Sequence, residues 1–215
     1  DSQISDDEFL DTLNHNPAQT KQKTFSDINQ FTNNLQICIE NLSFRFTPNS
    51  DPIFKDVSMK LLAGDIVSLT GPPGIGKTTF LNCISALEIS SHDRFEVGGQ
   101  SLDKYSLSTI RNLISLTTQS RYIFEGTVAE NISVYKPDIS TPQIMKTLKK
   151  YDLWDTFSDL PKGLDTRISN TSSISNTIKV FIHLARSLVR SPSIMFIDDI
   201  FQSVEVENAQ KLLLK

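Results

Sequence analysis

Glycine runs out early in this chain: all eight glycines lie at or before Gly163. Any turn or close backbone approach beyond that point must be made by residues that carry a side chain. Cysteine is scarcer still. Cys38 and Cys83 are the only two; both lie in apolar stretches and read as small core residues of a reducing compartment, not as a disulfide framework. No apolar run approaches the roughly 20 residues needed to cross a bilayer, and the polar, acidic start is no signal peptide. A membrane role therefore needs parts other than these residues. Lys and Arg number 21 against 25 Asp and Glu, a net charge of −4, so no basic excess calls for nucleic acid. What is present suits a globular protein: 38% hydrophobic and 21% charged over 215 residues, enough for one sizeable core with room for a subdomain.

The informative stretch is Gly71-Pro72-Pro73-Gly74-Ile75-Gly76-Lys77-Thr78, which fits the phosphate-binding pattern G-x-x-x-x-G-K-[ST]. Its flanks fit as well. Residues 65–70, Asp-Ile-Val-Ser-Leu-Thr, are short, apolar and β-branched and predict a buried strand. Residues 79–87, opening on Thr79 and Phe80, predict a helix with an apolar stripe. A strand feeding a glycine turn feeding a helix aims several backbone N–H groups at one point, at the positive end of the helix, where a polyphosphate sits. In that pattern Lys77 reaches the β- and γ-phosphates and the Thr78 hydroxyl ligates Mg²⁺.

Along the chain, residues 1–34 are polar and read as a linker, with a short helix candidate at 6–13. The folded part begins near Leu35. Residues 37–46 and 57–61 alternate as strands, with Phe44 and Phe46 on one face. Arg94 to Val97 followed by Gly98-Gly99 reads as a hairpin end, 108–112 as a short helix, and 113–118 as a buried strand ending at Gln119. From about 120 to 190 the pattern is helical: Ser140-Thr141-Pro142 starts a helix expected to run to Trp154, and 174–190 forms a second. Residues 193–197 are a buried strand delivering Asp198-Asp199, and 206–215 begin a last helix. Four apolar residues followed by Asp198 suit a Walker B strand, whose acid would hold Mg²⁺ opposite Thr78.

In this order and spacing the chain resembles the nucleotide-binding domain of ATP-binding-cassette (ABC) transporters, exporter or half-transporter type. The resemblance covers about Ile37 to the last residue. Phe44-Arg45-Phe46 matches the aromatic loop, Gly71 to Thr79 matches Walker A, and Thr118 to Ile132 is very like the exporter Q-loop segment. Gly163-Leu164-Asp165-Thr166 fits the exporter subgroup, and 184–192 matches the stretch between signature helix and Walker B. The resemblance implies an α/β fold: a P-loop core with mixed sheet, an antiparallel β subdomain and a helical arm at about 120–190, with 35–215 as a C-terminally truncated domain. It implies ATP and Mg²⁺ as ligands, Phe46 against adenine, the loop Gly71, Pro72, Pro73, Gly74, Ile75, Gly76, Lys77, Thr78 and Thr79 around the phosphates, and Thr78, Gln119 and Asp198 around the metal. Gln119 would also contact the attacking water. The implied partners are a second nucleotide-binding domain, alike or different, and a transmembrane domain of the same transporter, preceding residues 1–34. The implied location is the cytoplasmic side of the cell membrane.

The departures from the family pattern matter most. Its signature LSGGQ falls on Ile174-Ser175-Asn176-Thr177-Ile178, where only Ser175 survives. In the family that segment caps the γ-phosphate held by the partner subunit, and glycine permits the close approach. Here 166–177 is rich in Ser, Thr and Asn, able to cap a helix but set to grip a phosphate less closely. Asp199 stands where the family's general base is Glu, one methylene shorter, and a misplacement of about 1 Å can cost on the order of a hundredfold in rate. The D-loop reads Gln202-Ser203-Val204-Glu205. The family's switch histidine would lie past the last residue; His183 falls inside the signature helix, and His15 and His92 have no evident role. Because each ATP in the family lies between one chain's Walker motifs and the other's signature, both faults sit on this chain and each composite site of a heterodimer keeps one. The implied function is Mg-ATP binding that drives dimerisation, with weak hydrolysis. The alternative is a nucleotide-responsive regulatory subunit without useful turnover. A phosphate-loop GTPase lacks its N-K-x-D element here, and a small-molecule kinase lacks its arginine-rich lid, since Arg186 and Arg190 lie on a helix. Asn176→Gly, Thr177→Gly and Asp199→Glu combined are expected to raise ATPase activity of the assembled transporter; no rise, with folding and ATP binding intact, places the limit elsewhere.

Overall fold

The computed structural model describes residues 35–118, 122–134, 136–169 and 174–200. The expected linker at 1–34, its helix at 6–13, Gln119, the D-loop at 202–205 and the last helix all lie outside them.

Alternation builds the first layer. Strand β1 (Ile37–Phe44) buries Ile37, Ile39, Leu42 and Phe44. It pairs antiparallel with β2 (Phe54–Leu61) on one side and with β3 (Arg94–Val97) on the other. Gly98-Gly99 turns β3 into β4 (Gln100–Ser101), completing a sheet of order β2-β1-β3-β4. The expected hairpin is therefore present. Helix α1 (Lys77–Ile84) follows the glycine-rich loop, and α2 (Leu107–Leu113) is capped by the Ser106 hydroxyl, which accepts from the Thr109 N–H. Strand β5 (Ile114–Thr117) pairs in parallel with β8 (Ile194–Ile197), Ile114 facing Ile194 and Thr117 facing Ile197.

The helical arm lies between those two strands in sequence. A two-residue pairing of β6 (Gly126–Thr127) with β7 (Arg167–Ile168) frames it. Helix α3 (Val128–Ser133) opens on a capping box between Thr127 and Glu130. Helix α4 (Thr141–Lys150) has the expected proline in its first turn, and α5 (Trp154–Ser158) is short. Helix α6 (Asn176–Leu188) buries Val180, Phe181, Ile182, Leu184 and Ala185. These helices form one apolar cluster around Phe157, Ile182, Leu148 and Val128. The sheet and α1 form a second around Ile39, Leu42, Leu113 and Val97. Strand β8 divides them, since Phe196 belongs to the sheet's core while Met195 and Ile197 pack on the helical one, as strand alternation requires. Burial pushes the Cys83 thiol up to about 11, with Glu88 adding to the effect. It is a neutral packing residue, as expected.

Two expectations are corrected. Residues 65–70 form no strand, and Ile66, Val67 and Leu69 are exposed, Ile66 by 82%. A strand exists only when its backbone groups find a ladder partner; among the described residues β8 pairs with β5 alone, and nothing pairs with 65–70. The helix expected to reach Trp154 stops at Lys150. Asp152 adopts φ +53, its N–H donates to the Lys149 carbonyl, and the Leu153 N–H reaches back to the Leu148 carbonyl at 2.8 Å. That is a Schellman end with aspartate in the position glycine usually takes, and Leu148 and Leu153 bury together beneath it. Phe157, fully buried at the centre of the arm, gives the sharpest stability test: Phe157→Ala is expected to cost about 3–5 kcal/mol in denaturant unfolding, and a loss below about 1 kcal/mol would contradict this packing.

Candidate phosphate-binding site

The loop ahead of α1 has its shape before any ligand is considered. Gly74 sits at φ +80 and Gly76 at φ +101, conformations that side-chain-bearing residues rarely adopt. Gly76 is the N-cap of α1 and offers no side-chain bond to the first turn, so the amides there await an acceptor from elsewhere. The Phe80 N–H closes the first helical bond on the Gly76 carbonyl at 2.8 Å. Lys77 Nζ folds back over the loop and donates to the carbonyls of Gly71 at 2.8 Å and Pro72 at 3.0 Å. Pro72 and Pro73 shape the loop but have no N–H to give. Thr78 is exposed at the start of α1, and Thr79 is half-buried behind it. Among the described residues the ammonium is held by neutral carbonyls and the helix start has no side-chain cap, a combination suited to a polyphosphate.

The structure adds a residue that motif spacing does not reveal. A Cβ placed on Gly76 would come within 2.5 Å of Ile53 Cγ2. Ile53, just before β2, therefore sits on the loop, and its N–H donates to the Phe44 carbonyl. In the sequence Ile53 is only an apolar residue directly after Asp51-Pro52. Phe46, past the end of β1, is 66% exposed and meets Phe44 edge to face at 5.1 Å, leaving ring surface free for stacking.

The acidic side is built by the parallel pair β5–β8. The Asp198 N–H donates to the Thr117 carbonyl at 2.8 Å, so Asp198 and Thr118 leave the carboxyl ends of neighbouring parallel strands, the usual place for ligands in such sheets. Asp198 is buried and Asp199 is exposed at φ +51, a conformation aspartate tolerates better than most residues. Gln119 would follow Thr118 directly but lies outside the described residues. Phe196 of β8 and Cys83 and Ile84 of α1 share one core, which ties the acidic strand to the phosphate-loop helix. Among the described residues no group of three or more His, Cys, Asp or Glu side chains forms a metal cage.

Ser175 is the N-cap of α6, and its hydroxyl accepts from the Ile178 N–H at 3.2 Å. The residue that survives from the signature thus serves its own helix, as the Ser/Thr/Asn-rich stretch predicts. Arg186 is structural, as expected from its helix. Its Nε donates to the Asn131 carbonyl at 2.6 Å and its other nitrogens to the Tyr122 carbonyl and Asn131 Oδ1. Burial, and then the neighbouring Arg190, push its pKa down to about 10. Asn131 in turn bonds both backbone groups of Phe124, so Tyr122 and Phe124 are pinned to α6. A polar cleft of about 290 Å³ between β5 and α6 includes Ser115, Thr118, His183 and Arg190 in its lining. None of its described lining residues comes from the phosphate loop.

Comparison with known proteins gives a family and a fold. The sequence profile of the ABC transporter family matches residues 54–202. The chain is 29% identical over 174 residues to the ABC multidrug transporter mdr2 of Aspergillus fumigatus, covering 80% of this chain and 22% of that protein. It is 26% identical over 170 residues to the putative multidrug export ATP-binding/permease protein YgaD of Bacillus subtilis, covering 79% of this chain and 29% of that protein. The fold is that of a bacterial Atm1-family ABC exporter solved with ATP bound, at a TM-score of 0.75 and 22% identity, covering 84% of this chain and 32% of that one. The chain thus spans less than a third of the length of these relatives.

Gly76→Ala is expected to destabilise the chain by about 1–3 kcal/mol from backbone strain alone, with the Ile53 contact adding to it. Adding Ile53→Ala should recover only part of that loss in thermal unfolding. Gly76→Ala melting like the unchanged chain would contradict the loop geometry.

Proposed function

The chain belongs to the ABC transporter family, and we propose that it is the ATP-binding domain of an exporter-type transporter. In this reading residues 35–215 are the nucleotide-binding domain, with about 120–190 as its helical subdomain and 1–34 as the link from a membrane domain. One observation carries it above the others. Helix α1 opens on an uncapped Gly76, and Lys77 beside it is held by carbonyls of its own loop. A triphosphate supplies the oxygens that both lack, at the positive end of a helix dipole.

The residues then take these roles. Phe46 stacks on adenine. The loop from Gly71 to Thr79 wraps the phosphates, with Lys77 exchanging its carbonyls for the β- and γ-oxygens. Thr78, Asp198 and Gln119 hold Mg²⁺, which would neutralise charge on those oxygens. Asp199 is the base for the attacking water, and Ser175 faces the nucleotide of a second nucleotide-binding domain. Turnover is slow on this account. Asp199 is a methylene shorter than glutamate, and Asn176 and Thr177 put side chains where glycine would let the backbone close on a phosphate. Among the described residues no helix is long and apolar enough to cross a membrane. By analogy with the family, the reading places a transmembrane domain elsewhere in the transporter and this domain on the cytoplasmic side.

Titration of a fluorescent ATP analogue onto the purified chain, with Mg²⁺ present, should saturate. Lys77→Ala should weaken it roughly tenfold or more, the scale of hydrogen bonds to a charged group. Equal uptake by both proteins, or uptake by neither, would overturn the reading.

A further inference from the structure

Four phenylalanine rings form an unbroken series from the exposed loop after β1 to the first turn of α1. Phe46 meets Phe44 at 5.1 Å, edge to face. Phe44 stacks on Phe54 at 6.1 Å with planes 25° apart, and Phe54 meets Phe80 at 5.4 Å, edge to face. Every separation falls in the range where aromatic pairs attract beyond their buried area. The backbone enforces the series. Phe44 and Phe54 are cross-strand partners in β1–β2, and the Ile53 N–H is bonded to the Phe44 carbonyl. Phe80 is three residues past Lys77, and its N–H is bonded to Gly76. Ile53 also seats on Gly76, so the start of β2 touches the phosphate loop and the aromatic loop together.

We propose that Phe44, Phe54 and Phe80 are a bridge that fixes Phe46 relative to the phosphate loop, making Phe54 and Phe80 positioning residues for recognition of the purine. This rests on the reading above, in which the site takes ATP with Phe46 on the base. Phe46 itself is two-thirds exposed; the described ring contact holding it is Phe44, which is anchored in turn. A ring that must stack on a base while Lys77 holds the phosphates has to stand at a fixed span from that lysine. A loop residue without the bridge would lose rotamer freedom on binding. The bridge accepts that cost in folding, before the ligand arrives.

The test compares Mg-ATP with Mg-tripolyphosphate, which has the phosphates and no base, by calorimetry on the purified chain. Phe54→Leu and Phe80→Leu are expected to weaken ATP about tenfold, equivalent to the loss of one to two aromatic contacts, and to change tripolyphosphate by less than about twofold. Phe80→Tyr, which keeps the ring, should restore ATP binding. Phe95→Leu, in the same core but outside the series, controls for loss of packing and should leave the ratio of the two affinities unchanged. In a Phe46→Ala background, Phe80→Leu should add nothing further to the ATP loss. Parallel weakening of both ligands by Phe54→Leu and Phe80→Leu, or full additivity with Phe46→Ala, would overturn the bridge while the ATP site stands. If Phe46→Ala alone leaves the ratio unchanged, the adenine placement fails and the bridge falls with it.

Discussion

Everything in the candidate site depends on a lysine that the protein satisfies with its own backbone. Lys77 Nζ has two carbonyls within 3.0 Å, both from its own loop, and those carbonyls are neutral. Among the described residues no ion pair to Lys77 is present, so its charge is met by carbonyl dipoles. Gly76 makes this possible by taking φ +101 at the mouth of α1, and Ile53 leaves no room there for a side chain. The cradle is thus specified from two sides: by what the glycine backbone can adopt, and by what β2 lets fit beside it.

The rest of the fold packs the helix behind that cradle into the same core as the acidic strand. Strand β8 stands between two apolar cores and presents Asp198 just past its end, while β5 beside it ends at Thr117 in parallel register. The buried hydrogen bond between the Thr117 and Ser187 hydroxyls, at 2.7 Å, joins β5 to α6. Arg186 on the same helix pins Tyr122 and Asn131. A change at the start of α6, where Ser175 sits, therefore has a packed route to the end of β5. Such a route is a physical connection and not by itself a coupling.

Much of this was legible in the sequence, for identifiable reasons. Alternation located β1 and β2, the Gly98-Gly99 turn marked the end of β3, and short apolar runs located β5 and β8. The phosphate loop was legible because glycines at fixed spacing before Lys-Thr have few other uses. The strand expected at 65–70 failed because apolar, β-branched character describes a surface that wants burial, whereas a strand also needs a backbone partner, and none is found among the described residues. The early end of α4 was missed because aspartate, not glycine, takes the left-handed position at 152. Ile53 was missed because its role comes from touching Gly76 across a turn, a contact that no local pattern encodes. Ser175 was read as the remnant of a phosphate-facing motif and as a cap; the structure shows its hydroxyl in the second role.

On the proposed reading, the two departures at 174–178 and 199 reduce what the site does to a bound phosphate, and both lie outside the loop at 71–79. Grip and cleavage are thus separable in this chain, and grip is the central claim. Hydrogen exchange on the purified chain, with and without Mg-ATP, tests it most directly. The account predicts slowed exchange at the first-turn amides of α1, from Lys77 to Phe80, together with the loop around Phe46, and little change in the helical core around Phe157. Unchanged exchange at Lys77 to Phe80 under saturating Mg-ATP would contradict it.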